Sequence, residues 1–217
     1  MNLWGGGSAH PGWPTPIGPL RVAAGAVRLR PVRMRDGAQW SRARLAERDK
    51  LEPWEPTAEM DWTARHAVSS WPATYSGLRA EARKGRMLPY AIEVDGRFCG
   101  QLTIGNVTHG ALRSAWIGYW VASAVTGLGV ATGALALGVD HCFGPVLLHR
   151  VEATVRPENT ASRRVLNKVG FREEGLLKRY LDVDGAWRDH LLLAITAEEI
   201  EGSAVARLVS AGLAHRY

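Results

Sequence analysis

Hydrophobic and polar residues alternate along several short stretches of the chain, and a period of two residues predicts β-strands. The first such stretch is VRLRPV, which predicts a strand over residues 27–32. Later, PYAIEVDGRFCGQLTIGNV predicts a hairpin that turns at Asp95 and Gly96, because Asp-Gly favours a two-residue hairpin loop. Further strands are predicted downstream, over residues 115–121, 149–155, 171–181 and 188–196.

Helices are predicted before and between these strands. The first should run from about Asp36 until Pro53, because proline lacks the N–H group that a helix interior needs. A second is predicted within residues 61–83, with an interruption or kink near Pro72. Two more are predicted later in the chain, over residues 130–143 and 161–168. The last helix should end at Gly170, since glycine suits the left-handed position that follows a helix C-terminus.

Strands that alternate with helices predict an α/β (α+β) fold, with a central mixed sheet flanked by helices. The length of 217 residues suits one domain with a full core, which we place at residues 26–200. Residues 1–25 are rich in Gly, Pro and Trp without periodicity, which predicts an irregular N-terminal arm. Residues 201–217 are predicted to form a helical C-terminal tail.

The net charge of +6 is spread along the chain, with acidic residues between the basic ones. This distribution favours an anionic cofactor or an acidic partner over direct binding to nucleic acid.

The most apolar stretch contains Asp140, His141 and Pro145, so no membrane span is predicted. The first residues have no signal-peptide pattern, and we expect a cytoplasmic protein in which Cys99 and Cys142 are free thiols.

The run TGLGVATGALALG, residues 126–138, places two glycines between a predicted strand and a predicted helix. A helix N-terminus carries unpaired N–H groups and a partial positive charge, and Gly127 and Gly129 would let a phosphate oxygen approach them. The helix itself is rich in Gly and Ala, so it can pack close to the sheet. The stretch alone is equally compatible with a diphosphate site and with close helix packing. No Lys-Ser or Lys-Thr pair follows the glycines, which excludes a P-loop.

A second segment, HRVEATVRPENTASRRVLNKVGFREEG, places a strand before Asn159 and a helix before a Gly-Phe pair. The two segments together resemble the acetyl-CoA-binding core of the GNAT superfamily of N-acetyltransferases, and within it the ribosomal-protein alanine N-acetyltransferases of the RimJ/RimL type. The family's (Gln/Arg)-x-x-Gly-x-(Gly/Ala) motif falls on residues 126–131, where Thr126 replaces the usual Gln or Arg. Its second motif falls on Asn159, Ser162, Gly170, Phe171, Glu174 and Gly175.

The resemblance covers about residues 27–196 and implies a GNAT fold, whose mixed, mostly antiparallel sheet is splayed at an acetyl-CoA cleft. The backbone amides of residues 127–132 would hold the diphosphate of acetyl-CoA. The pantetheine arm would add to the edge at Trp120 and Val121 like an extra strand, and Asn159 would hydrogen-bond to it. The residues implied in cofactor binding are Trp120, Val121, Thr126, Gly127, Leu128, Gly129, Val130, Ala131, Thr132, Asn159 and Ser162.

Acetylation of an amine needs a neutral amine, a polarised thioester carbonyl and a proton for the departing thiolate. The resemblance implies Ser162 as the acid, with Tyr180 as the other candidate. In the alternative reading, Ser162 only caps its helix or contacts a phosphate, and Tyr180 is a half-buried strand residue. The glutamate base of RimL-type enzymes aligns with Leu181, so that carboxylate is missing. The acids that remain as candidates are Glu174, Asp182, Asp184 and Asp189.

These features predict an acetyl-CoA-dependent enzyme that acetylates a protein N-terminal α-amine, of the ribosomal-protein alanine type, by direct attack in a ternary complex. An α-amine with a pKa near 7.8 is about one part in seven neutral at pH 7, so it needs little help from a base. The acceptor cleft should have walls from residues 51–71, including Trp54 and Trp62, and from residues 182–187.

Two other functions are compatible with the sequence. One is acetylation of a small-molecule amine, such as an antibiotic or a metabolite, and the other is coenzyme A binding without turnover. No metal is expected, because His109, His149 and His190 have no partner at metal-ligand spacing. The protein is expected to be a monomer or a homodimer, with acetyl-CoA and a protein N-terminus as its partners.

Overall fold

The computed structural model describes residues 12–216, which form a nine-stranded sheet with helices on both faces. The strands, in chain order, are β1 (Ile17–Val22), β2 (Gly25–Pro31), β3 (Met87–Val94), β4 (Arg97–Thr108), β5 (Ser114–Val121), β6 (Arg150–Val155), β7 (Arg172–Val183), β8 (Ala186–Thr196) and β9 (His215–Arg216). The α-helices are α1 (Gly37–Ala46), α2 (Arg48–Leu51), α3 (Trp62–His66), α4 (Trp71–Arg83), α5 (Val130–Phe143), α6 (Thr160–Val169) and α7 (Ala204–Ser210).

The spatial order of the strands is β7-β8-β6-β5-β4-β3-β2-β1-β9. Every neighbouring pair is antiparallel except β5 and β6, which run parallel because α5 connects them as a crossover. The prediction of a mixed, mostly antiparallel sheet flanked by helices is therefore confirmed.

The parallel pair is joined only at its start, which opens the sheet at its centre. Trp116 faces Glu152 in the last of three paired positions, and residues 117–121 of β5 have no ladder partner on that side. Beyond this point β5 stays paired with β4 up to Val121, while β6 stays paired with β8 up to Val155. The two halves of the sheet thus diverge, and the predicted splay next to Trp120 is confirmed.

Helix α5 packs against the sheet at very short distance, as its glycines and alanines predict. A Cβ atom at Gly133 would lie 3.0 Å from Val22, and one at Gly138 would lie 3.1 Å from Ile117. Such contacts are closer than most Cβ atoms make, so a side chain at either position would require Val22 or Ile117 to shift by a few tenths of an ångström. The opposite face of the sheet carries α1 and α4, whose Trp40 and Trp71 form a second, smaller core.

Most predicted elements agree with the structure. The hairpin turns at Asp95 and Gly96, α5 has the predicted bounds, and α6 ends with Gly170 at a φ of 113°. The first predicted helix is broken at Glu47, where α1 ends and α2 begins. The predicted interruption near Pro72 is real, because α4 starts one residue earlier and places the proline in its first turn.

Two terminal predictions differ from the structure. Within the predicted irregular arm, residues 17–22 form β1, since Leu20 and Val22 point into the core in alternation and pair the strand with β2. The part of that arm before residue 12 lies outside the described residues. The predicted helical tail contains α7, but His215 and Arg216 form β9 against β1 instead of continuing the helix. No helix within residues 12–216 is long and apolar enough to cross a membrane.

Candidate active site

A cleft of about 1320 Å³ opens where β5 and β6 separate. It extends from the loop before α5, past the start of α6, to the surface of β7. Of the residues predicted to bind the cofactor, all line this cleft except Leu128, whose side chain points outward and whose carbonyl accepts a hydrogen bond from Ala24. The sheet therefore brings both sequence motifs to one cavity, and their contacts with a cofactor stay a prediction.

The glycine turn before α5 has a backbone that favours glycine at both of its key positions. Gly127 has a φ of 79° and Gly129 a φ of 84°, in the left-handed region that other residues rarely adopt. A Cβ atom at Gly127 would meet nothing within 4 Å, whereas one at Gly129 would lie 3.2 Å from Val22. A side chain at Gly129 would thus need both a left-handed backbone and a small shift of Val22, whereas Gly127 leaves open space in front of the first amides of α5.

Asn159, and not Ser162, caps the N-terminus of helix α6. Its Oδ1 accepts the backbone N–H of Ser162 at 3.0 Å. The alternative in which Ser162 is the cap is therefore wrong. The Asn159 side-chain amide nitrogen has no hydrogen bond to any described residue and remains able to donate into the cleft.

The Ser162 hydroxyl is held by a residue that the sequence did not single out. Its Oγ lies 3.0 Å from the Oη of Tyr119, whose single hydrogen can be donated either to this Oγ or to the Ser162 carbonyl at 3.3 Å. Burial raises the pKa of Tyr119 above its ordinary value, so the phenol is protonated at neutral pH. When it donates to the serine oxygen, the serine proton is left to face the cleft. The only sequence signal for Tyr119 was its place on the unpaired part of β5.

Tyr180, the second predicted acid, lies on β7 and lines the far end of the cleft. Its side chain is 47% exposed, and its ring centroid is 5.7 Å from that of His190. Its hydroxyl has no hydrogen bond to a described residue. The structure therefore leaves both readings of Tyr180 possible, but it gives the hydroxyl no partner that would activate it.

None of the four candidate base carboxylates lines the cleft. Glu174 pairs with Arg150 and Arg172, and the hydrogen bond from Arg150 is the main cause of its lowered pKa. Asp189 accepts Lys178 Nζ at 2.8 Å, which lowers its pKa in the same way. These acids serve surface ion pairs and turns and are unsuited to accept a proton in the cleft.

Three other carboxylates do line the cleft, and each already has a partner. Glu47 accepts the N–H and the hydroxyl of Ser123 at 3.1 and 2.6 Å; burial opposes its ionisation, but these bonds outweigh it and lower its pKa. Glu55 pairs with Arg44, and Glu152 lies 2.6 Å from the Nε of Arg150. The sequence reasoning missed all three because they come from separate elements.

The predicted acceptor walls are correct in part. Thr57 accepts the Gly185 N–H at 2.9 Å and donates to Asp182 at 2.7 Å, so residues 51–57 are joined to the β7–β8 turn. Trp54 lines the cleft as expected. Trp62 does not, because it is only 1% exposed and donates its indole N–H to the Arg44 carbonyl at 3.0 Å.

Residues 182–187 also lie outside the cleft, whereas Tyr180 and Leu181 line it.

No group of three or more His, Cys, Asp and Glu side chains that could hold a metal ion occurs within residues 12–216.

The sheet that opens between β5 and β6, with a glycine turn and a capped helix at the opening, agrees with a family assignment from sequence. An acetyltransferase (GNAT) domain matches residues 26–172. The chain therefore belongs to the GNAT family of acetyltransferases, as the two motifs indicated.

Particular relatives refine this assignment. RimJ from Mycobacterium smegmatis, solved in complex with CoA-disulfide, is 74% identical, and the match covers 96% of this chain and 100% of that one with a TM-score of 0.95. The ribosomal protein uS5-alanine N-acetyltransferase of Escherichia coli is 26% identical over 87% of this chain and 96% of its own length. The probable N-acetyltransferase YjcK of Bacillus subtilis is 43% identical, over 46% of this chain and 56% of its own. The resemblance to the RimJ/RimL type is confirmed.

Proposed function

We propose that this protein transfers the acetyl group of acetyl-CoA to the N-terminal α-amine of a protein, an alanine of a ribosomal protein being the favoured acceptor. The observation that carries the proposal is the single cleft that joins the open edge of β5, the glycine turn and Ser162. The relationship to RimJ, at 74% identity over nearly the whole chain, supports both the cofactor and the acceptor. A ribosomal-protein acceptor also places the reaction in the cytoplasm.

The cofactor fits the empty space next to the glycine turn. Because Gly127 has no Cβ atom and faces open space, phosphate oxygens can reach the unpaired amides at the start of α5. The unpaired edge of residues 117–121 offers main-chain groups to an extended amide chain such as pantetheine, which would add like a strand. Asn159 supplies a side-chain amide at the same opening.

The chain's own residues provide the acid for the chemical step. The amine nitrogen bonds to the thioester carbon, and the C–S bond breaks with its electron pair on sulfur. Ser162 donates its hydroxyl proton to the thiolate, while Tyr119 donates to the serine oxygen and keeps it oriented. Tyr180, which lines the same cleft, is the competing acid.

The cleft favours a peptide acceptor over a small cationic amine. A polyamine or aminoglycoside site needs carboxylates that are free to bind ammonium groups. In this cleft Glu55 pairs with Arg44 and Arg65, and Glu152 pairs with Arg150. The third carboxylate, Glu47, accepts two hydrogen bonds from Ser123 and pairs with Lys50, so each of the three already has a partner. A protein α-amine, which is partly neutral at pH 7, needs no such groups.

A panel of acceptors tests the proposal by release of free thiol. Peptides that begin with alanine should be acetylated, and the same peptides with a blocked N-terminus should not, even when they contain lysine. An aminoglycoside or polyamine with a higher kcat/KM than any peptide would refute the proposed acceptor. Binding of acetyl-CoA without turnover of any amine would refute the enzyme function and leave only the cofactor assignment.

A further inference from the structure

A smaller cavity of about 200 Å³ lies between the diverging halves of β5 and β6. Its walls include Tyr119 on β5, Thr154 on β6, Ser162 on α6 and His190 on β8. His190 is only 4% exposed, so this imidazole is a buried titratable group that borders the same space as the proposed acid. Nothing in the reaction described above uses it.

The hydrogen bonding of His190 fixes the position of its proton. Nδ1 lies 3.1 Å from the carbonyl oxygen of Arg188. A carbonyl oxygen can only accept, so Nδ1 carries the hydrogen and Nε2 of the neutral ring carries a lone pair. No described residue donates a hydrogen bond to Nε2. Nε2 is therefore open to accept a hydrogen bond from a ligand or a water in this cavity.

His190 also projects toward the side of the sheet that forms the acceptor end of the cleft. Thr154 is directly opposite Leu192 in the β6–β8 ladder, and both line the large cleft. Because side chains alternate along a strand, His190 lies on the same face as Leu192. The ring of Tyr180 contacts the imidazole in an edge-to-face arrangement, with centroids 5.7 Å apart, and Arg156 borders the same small cavity.

We propose that Nε2 of His190 accepts the proton that the acceptor amine loses, directly or through one water. This inference rests on the proposed function, and it supplies the base that the sequence lacked. An N–H bond of the amine breaks as the Nε2–H bond forms, the nitrogen bonds to the acetyl carbon, and the C–S bond breaks. The thiolate takes the proton of Ser162, and the imidazolium and the serine exchange protons with solvent after the products leave.

His190 offers a ring nitrogen without a hydrogen-bond partner among the described residues, at the cavity that Ser162 also lines. Glu47 is bonded to Ser123, and Glu55 is paired with two arginines. Glu152 is the nearest competitor, since only its Oε1 is bonded, to Arg150 at 2.6 Å. An experiment must therefore separate His190 from Glu152.

The test replaces His190 by residues that keep or lose each ring nitrogen. His190→Asn keeps a donor for the Arg188 carbonyl but has no basic nitrogen, so it separates a structural role from proton transfer. We expect kcat to fall about 10²-fold in this variant, the lower end of the range for general base catalysis, with acetyl-CoA affinity unchanged by calorimetry.

In His190→Ala, added imidazole should restore part of the rate in proportion to its concentration. The assay uses as acceptor whichever amine the unmodified protein acetylates best. The result for His190 then does not depend on that amine being a peptide, so failure of the peptide panel and failure of this test are distinct results.

Two controls and one measurement on the unmodified protein complete the test. His149→Asn should keep full activity and show no imidazole effect, because His149 is 40% exposed and pairs with Glu198 outside the cleft. Nitrogen NMR of the unmodified protein should find Nδ1 protonated and Nε2 unprotonated at neutral pH, which requires no variant to fold. The proposal is overturned by an Nε2–H tautomer, by a His190→Asn variant that turns over at the normal rate, or by Glu152→Gln causing the loss that His190→Asn does not.

Discussion

The glycine turn offers a substitution whose effect on binding can be separated from its effect on folding. Gly127→Ala places a Cβ atom in the open space where we expect the diphosphate, and it also forces alanine into a left-handed backbone at a φ of 79°. Gly96→Ala is a matched control, because Gly96 has a φ of 80° and a Cβ there would also meet nothing within 4 Å. Gly96 belongs to the β3–β4 turn and does not line the cleft.

The structure sets the size of each effect. The left-handed conformation costs about 1–2 kcal/mol for a residue with a Cβ atom, so both variants should lose similar stability and still fold. Only Gly127→Ala should also hold the phosphates away from the amides of α5. We expect its dissociation constant for acetyl-CoA to rise at least about tenfold, or 1.4 kcal/mol, while Gly96→Ala binds normally.

Thermal denaturation and isothermal calorimetry measure these two quantities on the same samples. If both variants lose stability and neither loses affinity, the diphosphate does not occupy the space in front of Gly127. The glycine would then serve the backbone conformation alone, and the cofactor would have to reach α5 from another side.

Three further predictions concern the acid, the core and the pH dependence. Ser162→Ala should lower kcat about 10²-fold, and Tyr119→Phe by a smaller factor, both with normal acetyl-CoA affinity by calorimetry. Trp62→Ala should cost about 3–5 kcal/mol in urea denaturation, because the buried ring leaves a cavity. Burial, and then the charge of Arg44, lower the pKa of His66 to about 4 from 6.5, so its contribution to stability is full above pH 6.5 and is lost as the pH falls toward 4.

Each of these predictions has a clear contrary result. Normal turnover in Ser162→Ala with loss of activity in Tyr180→Phe would transfer the acid role to Tyr180. Trp187, which is 65% exposed, is the control for Trp62, and an equal loss of stability in Trp187→Ala would contradict the assignment of Trp62 to the core. Replacement of His66 by Asn keeps a donor for the Trp62 carbonyl. In this variant the free energy of unfolding should decrease less as the pH falls below 6.5. An unchanged dependence of the free energy on pH would contradict the argument.

Local patterns in the sequence were sufficient to predict the elements and the two cofactor motifs. Glycine at position 127 and at position 170 signals a left-handed backbone, and the Asp95-Gly96 pair signals a tight turn, because these preferences depend on the residue itself. The alternation of apolar residues likewise predicts which strands have a buried face. Such signals need no knowledge of the rest of the chain, so the fold class could be predicted from them, while the family was indicated by the resemblance of two motifs to known acetyltransferases.

The chemistry of the cleft depends on residues that meet only after folding. Tyr119 and Ser162 are 43 positions apart, and their hydroxyls come within 3.0 Å because β5 and α6 lie on either side of the opening. Four acids close to the second motif were considered as bases, yet the fold turns them to the surface. His190 carried no metal-ligand spacing and so gave no signal at all.

The sequence by itself determined most of the strands and helices and the glycine turn, since these rest on the preferences of consecutive residues, and its two motifs carried the resemblance to the family. The tertiary structure alone decided that Asn159 is the helix cap, that Trp62 is buried, and that a histidine of β8 borders the same cavity as Ser162. The physical reason is the way the sheet opens. Where β5 leaves β6, side chains from distant segments face one space, and no local pattern records which of them will meet there.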